Sequence, residues 1–223
     1  MVKIEIWSDV VCPFCYMGKR RFEKALALFQ HRDEVEVEWR SFQLDPTLRV
    51  LPTETVYEYL ARRKGIAPEA SRKMHARLTE DALKLGLSYN FDTAVVANTL
   101  DAHRLTHMAR KHGNAAEVEE RLFAAYFTEG RDIQDHETLA AIGASAGMNA
   151  AEVREMLLSN SYTEAARREM SEAEELGATG VPFFVFDRVY AVSGAQSSEV
   201  FLEILQKVVE EKASAGDVQV SRP

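Results

Sequence analysis

The order of strand-like and helix-like segments in this 223-residue sequence predicts an α/β fold with a large all-helical insertion. Three observations carry that prediction. The chain opens on a strand–helix–strand pattern, a long central stretch offers only helix, and strand chemistry then returns in a hairpin followed by a closing helix. Strand-bearing elements on both sides of a helical block imply one sheet-based unit interrupted by an insertion, rather than two domains in series.

The first strand rests on Val2, Ile4 and Ile6, which alternate with Lys3 and Glu5 as on a strand with one face more buried than the other. It ends near Ser8–Asp9. From Cys12 the period becomes helical, with Phe22, Leu26 and Phe29 on one face and Pro13 in the first turn, where its missing N–H is not needed. "EVEVEWRSFQL" supplies a second strand, with Val35, Val37 and Trp39 on one side.

After Asp45–Pro46 the helices follow one another. Val56, Tyr59 and Leu60 mark a short one stopped at Gly65, and Pro68 opens another carrying Met74, Leu78, Ala82 and Leu85 before Gly86. A third is expected from about Thr93 to His112, and Val118, Leu122 and Tyr126 define a fourth, ending at Gly130. Asp135 and Asn149 stand at N-cap positions, the latter with Glu152 spaced for a capping box. A helix from about Thr163 to Leu176 stops at Gly177. "VPFFVF" and "VYAVS" then form a hairpin about Asp187–Arg188. The last helix runs from about Ser197 to Lys212, with Val200, Ile204 and Val208 along one face, ahead of a short polar tail expected to fray. The sheet-based unit is thus expected over 1–45 plus 164–213, the insertion over 46–163 and the tail over 214–223.

Composition narrows the function classes. The chain is 46% hydrophobic, enough for a core that needs no cross-links. A net charge of −8, with no basic stripe, argues against nucleic-acid and anionic-membrane partners. Neither a secretory signal nor an apolar run of membrane-spanning length is visible, so a cytoplasmic location is expected.

Both cysteines lie in "SDVVCPFCYMG". A structural zinc site would need four ligands, usually in two pairs, and the only helical histidine pair, His103 and His107, reads as a polar surface face. No metal is therefore expected. A bridge closing so short a loop would add little stability. Placement favours a third use. Cys12 stands where a strand hands over to a helix N-terminus, whose N–H groups and dipole favour a thiolate. Cys15, one turn on, sits deeper, so the pair offers an attacking sulfur at the surface and a resolving sulfur behind it, as thiol–disulfide exchange requires.

With "TGVPFFVF" and the helical insertion, "CPFC" makes the chain resemble the DsbA family of thioredoxin-fold dithiol–disulfide oxidoreductases. "NTLDAHRLTHMA", "FTEGRDI" and "ATGVPFFVFDRVYAVSGAQ" further resemble its cytoplasmic, FrnE-like branch, often labelled a dithiol–disulfide isomerase of polyketide biosynthesis. The resemblance runs from Val2 to about Lys212. It implies a thioredoxin-like fold, Cys12 as nucleophile, Cys15 as resolving partner, Pro182 as the cis proline beside the active site, and Val181 as a backbone rail for a substrate peptide. Pro13 and Phe14 complete the active-site motif. Where the periplasmic type carries histidine this chain has Phe14, which removes a donor to the Cys12 thiolate and implies a weaker oxidant. Asp9 is read as a helix-entry residue that favours the dipole.

The Pro–aromatic pair also resembles the glutaredoxin motif, which leaves glutathione open as a co-substrate; no organic cofactor is expected. The partner is a thiol- or disulfide-containing protein or small molecule. Asn98 and His103 are candidate substrate contacts, while Trp7, Trp39, Phe183, Phe184 and Phe186 read as core. Two alternatives stay open: a glutathione-dependent transferase or isomerase of the kappa type, which carries serine where this chain has Cys12, and a non-catalytic peptide-binding holdase.

Overall fold

A computed structural model describes residues 1–48 and 53–219. Strand β1 (Val2–Ser8) leads through a short loop into α1 (Pro13–Leu28), and β2 (Val35–Ser41) follows a single 3₁₀ turn. The insertion contributes α2 (Val56–Lys64), α3 (Pro68–Leu83), α4 (Leu100–Lys111), α5 (Ala115–Phe127), α6 (His136–Ser145) and α7 (Ala150–Leu158). The chain returns through α8 (Thr163–Glu175), β3 (Phe183–Phe186), β4 (Tyr190–Ser193) and α9 (Ser198–Gln219).

The sheet has the order β2-β1-β3-β4. β1 pairs parallel with β2, Val2 opposite Val35 through Ser8 opposite Ser41, and antiparallel with β3, which pairs antiparallel with β4. This is the thioredoxin fold. The parallel pair needs a crossover, and α1 supplies it.

Helices cover both faces. Ile4, Ile6, Phe22, Phe184, Phe186, Phe201 and Leu205 form a buried cluster between sheet, α1 and α9, while Trp7, Phe183 and Val185 pack with Ala173 of α8 on the other side. Trp39 is buried as well, so all five aromatic residues read as core are inside. β1 is therefore buried on both faces, and Glu5, which looked solvent-facing, is only 2% exposed. It survives there by pairing with the guanidinium groups of Arg40 and Arg188.

Four local details differ from the sequence reading. The third helix begins at Leu100, because Thr93–Thr99 is drawn into turn and extended chain: Val95 bridges Thr55, and the Asn98 side chain accepts the Leu100 N–H at 3.0 Å. Asn149 caps through the Ala151 N–H and not through a capping box; that motif forms instead at Thr55 and Glu58. The buried line of α9 is Phe201, Leu205 and Val208. The helix continues to Gln219 where a frayed tail was expected, and 220–223 of that tail lie outside the described residues.

Candidate active site

The C-terminal end of β1 builds the site. The Cys12 N–H donates to the Asp9 carbonyl at 2.9 Å, which turns the chain tightly into α1 with Cys12 as N-cap and Pro13 in the first turn. No acidic residue lies in that first turn, so nothing there opposes a sulfur anion facing the helix N–H groups. Across from it the Val181–Pro182 bond is cis, and the Cys12 sulfur lies 3.5 Å from the Val181 carbonyl oxygen, close enough to donate its S–H. Cys12, Cys15, Val181 and Pro182 are thus brought together from opposite ends of the sequence.

The sulfur pair is less exposed than the sequence suggested: Cys12 is 3% and Cys15 1% accessible. The cause is the insertion, which roofs the cysteines, a placement no local pattern encodes. Burial pushes the Cys15 thiol well above its ordinary value, and the adjoining Cys12 sulfur pushes in the same direction. The Asp9 N–H and the Ser8 hydroxyl lie beside the Cys15 sulfur and favour its anion. Phe14, by contrast, is half-exposed at the rim of a cavity of about 350 Å³ that opens beside Cys12.

Several residues that frame this centre carried no signal in the sequence. Tyr89 reaches down from the loop after α3 and donates its hydroxyl to the Pro13 carbonyl at 2.7 Å. Burial, followed by the nearby Cys12, Tyr16 and Cys15, keeps that phenol protonated. Gly18 lets α1 press against the cis-proline loop: a Cβ there would stand 3.0 Å from the Pro182 side chain. Tyr16 stacks on Phe123 at 4.7 Å and donates to Glu120, which also accepts from Lys19 at 2.5 Å and from Arg20. Burial opposes the Glu120 carboxylate, yet these donors draw it down to about 2.

Asp9 does more than enter a helix. It is 1% exposed, accepts the Leu44 N–H at 2.7 Å, and holds its second oxygen 3.5 Å from His103 Nε2. The two atoms are at ion-pair distance but lack hydrogen-bond alignment. Burial opposes the His103 imidazolium, but Asp9, Glu119 and Glu169 outweigh it and raise its pKa above the ordinary value. His107, one turn on, is also buried, 3.1 Å from a Glu169 oxygen and 3.1 Å from Ser41 Oγ. Both histidines therefore face the sheet unit and not solvent. Neither His103 nor Asn98 lines the cavity; Asn98 instead accepts from Gln43 at 3.0 Å.

A dithiol at a helix N-terminus facing a cis-proline loop is the arrangement expected of a thioredoxin-fold disulfide oxidoreductase. A family model described as the DSBA-like thioredoxin domain matches residues 3–206, and the chain belongs to that family. It is similar to the crystal structure of a probable DsbA oxidoreductase from Streptomyces coelicolor, with 41% identity, TM-score 0.89, and coverage of 95% of this chain and 91% of that one. It is 29% identical over 204 residues to the uncharacterised protein YwbO of Bacillus subtilis, covering 90% of this chain and 94% of the relative. At fold level it also matches the cytosolic disulfide reductase DsbM of Pseudomonas aeruginosa, solved with GSH, at TM-score 0.65 and 16% identity over 93% of this chain and 99% of that one. These likenesses support a disulfide oxidoreductase. Among the described residues, no helix is long and apolar enough to cross a membrane.

Proposed function

We propose that the chain exchanges disulfides through Cys12 and Cys15, acting as a reductase or isomerase more than as a net oxidant. The observation that carries this reading is the Cys12 sulfur, set at the N-cap of α1 and 3.5 Å from the carbonyl of Val181. In the reducing direction the Cys12 thiolate attacks one sulfur of a substrate disulfide and expels the other as a thiolate. The Cys15 thiolate then attacks the Cys12 sulfur and releases the second substrate thiol. Two electrons pass to the substrate, and Cys12 and Cys15 are left joined. Burial holds Cys15 as a thiol until it is needed, which protects the mixed disulfide from premature resolution. Isomerisation uses the same first step, with a substrate thiol performing the release.

Phe14 supports the direction, because a phenyl ring gives the Cys12 thiolate neither charge nor hydrogen bond, so the reduced form gains little over the disulfide. Val181 and Pro182 flank the sulfur on the side where a substrate chain would run. The DsbM structure, solved with GSH, favours glutathione as a thiol partner, and its cytosolic setting favours the cytoplasm for this chain. The test is Cys12→Ser, which abolishes disulfide reduction and isomerisation; full activity in that variant overturns the reading. Glutathione-conjugating turnover that survives loss of both cysteines would support the kappa-type alternative, and client protection that survives it would support the holdase.

A further inference from the structure

The cavity beside Cys12 has a chemical character that disulfide exchange alone does not require. Its volume, about 350 Å³, lies at the small end of the range for small-molecule sites. The insertion forms most of its lining, and its apolar walls come from Phe14, Leu60, Met74, Leu78, Phe91 and Val96. Lys64, exposed at its mouth, has no ion-pair partner among the described residues, while its other charges are committed. Arg63 is engaged by Asp45 at 3.3 Å and by the Tyr59 hydroxyl at 2.8 Å, and Asp9 by Leu44 and His103.

Two neutral polar groups in the lining are uncommitted. The Tyr126 hydroxyl has no hydrogen-bond partner among the described residues, although the residue is only 6% exposed. His75 Nδ1 lies 2.8 Å from the Ser71 carbonyl oxygen and must carry the proton, which leaves Nε2 as an acceptor without a protein partner among the described residues. Burial lowers the His75 pKa and keeps the ring neutral. Neither atom is sealed from solvent, so a donor and an acceptor stand open to whatever enters the chamber, a ligand or water.

We infer that this cavity selects a low-molecular-weight disulfide with an apolar, ring-sized body bearing a hydroxyl or carbonyl group, in preference to a disulfide in a polypeptide. The inference rests on the exchange reading above and names its substrate class. An extended peptide runs along Val181 and has no need of the chamber. A ring, in contrast, fits the chamber with its sulfur at Cys12 and its oxygen accepting from Tyr126. Cys12 attacks the near sulfur, the far half leaves as a thiol, and Cys15 frees the bound half, so bonds and electrons balance as before.

The test compares single-turnover reduction of bis(4-hydroxyphenyl) disulfide, diphenyl disulfide, 2-hydroxyethyl disulfide and insulin by the prereduced protein. Met74→Trp, which fills the chamber from a partly exposed wall, lowers the rate ratio of the hydroxyphenyl probe to 2-hydroxyethyl disulfide by about tenfold or more. Tyr126→Phe lowers the ratio of hydroxyphenyl to phenyl probe by about fivefold. Ratios unchanged within twofold in both variants, or insulin reduction slowed by Met74→Trp as much as the aromatic probe, overturn the inference. A binding arm separates the two levels: bis(4-hydroxyphenyl) sulfide, which cannot exchange, is titrated onto Cys12→Ser with and without Met74→Trp. If wild type reduces none of the disulfides yet the sulfide binds and Met74→Trp weakens it, exchange fails and the cavity assignment stands. If disulfides are reduced but the sulfide does not bind, the cavity assignment alone fails.

Discussion

Replacing Phe14 by histidine changes the group beside the Cys12 sulfur and leaves the rest of the site in place. Phe14 occupies the second position of α1, one residue past Pro13, and is 50% exposed. An imidazole N–H there can donate to the Cys12 thiolate, and a hydrogen bond to a charged group contributes roughly 1.5–3 kcal/mol. Half-exposure admits solvent that screens the contact, which halves the figure to about 0.8–1.5 kcal/mol. The gain falls on the reduced form alone, so the dithiol becomes the more oxidising one. At 30 mV for about 1.4 kcal/mol, the reduction potential of Phe14→His rises by about 15–30 mV. Equilibration of both proteins across a series of glutathione redox buffers, acid quenching and counting of maleimide-trapped thiols measures it. A potential that is lower, or the same within about 5 mV, refutes the claim that Phe14 sets the direction of exchange.

Gly18→Val places a branched side chain 3.0 Å from Pro182; overpacking of this kind costs about 1–3 kcal/mol. It also moves the cis-proline loop, so urea unfolding shows the stability loss while insulin reduction falls further than the unfolded fraction explains. Glu169→Gln removes a buried carboxylate that accepts from Arg40 at 2.9 Å, Arg110 at 2.8 Å and the Ser41 N–H at 2.8 Å. Breaking such a cluster costs about 3 kcal/mol, read from the urea midpoint at pH 7. Burial resists the Glu169 charge, but His107 and Arg110 hold its carboxyl far below the ordinary range. Its contribution is present above the unfolded value of about 4.3 and is lost as pH falls through the folded one, so the variant's acid limb is flatter. His103 has the opposite sign. Its folded pKa is raised, so its stabilisation is full below about 6.5 and fades as pH climbs through the folded value. His103→Gln therefore removes part of the alkaline decline in stability, and an unchanged decline refutes the Asp9–His103 pairing.

The elements legible in the sequence were those whose evidence is local. Alternation in Val2–Ile6, Pro13 and Pro68 at helix starts and glycines at helix ends need only neighbours in the chain. Thr93–Thr99 misled because the α4 period runs backwards into it, and only the distant Thr55 draws Val95 out of a helix. The dithiol was readable because its spacing and position are sequence properties. Its surroundings were not. His103 and His107 resemble surface residues until β1, β2 and α8 bring Asp9, Ser41 and Glu169 against them. Tyr89 and Gly18 matter only through partners 76 and 164 positions away, respectively Pro13 and Pro182, and Tyr126 only through the cavity it shares with Cys12.

Helix α4 fastens the insertion at every turn. His103 meets Asp9 of the active-site loop, and His107 and Arg110 meet Glu169. Arg104 gives its guanidinium to the carbonyls of Met156, Ser159 and Ser161, where α7 hands over to α8. Swinging the roof off the cysteines would mean stripping partners from several buried charges at once. The seat of the insertion on the sheet unit is therefore fixed before anything approaches Cys12, and little ordering there has to be offset when a molecule arrives. Whatever exchanges disulfides at Cys12 thus meets a sulfur pair whose helical cover is locked to the sheet by charge, as a lintel is keyed into its wall.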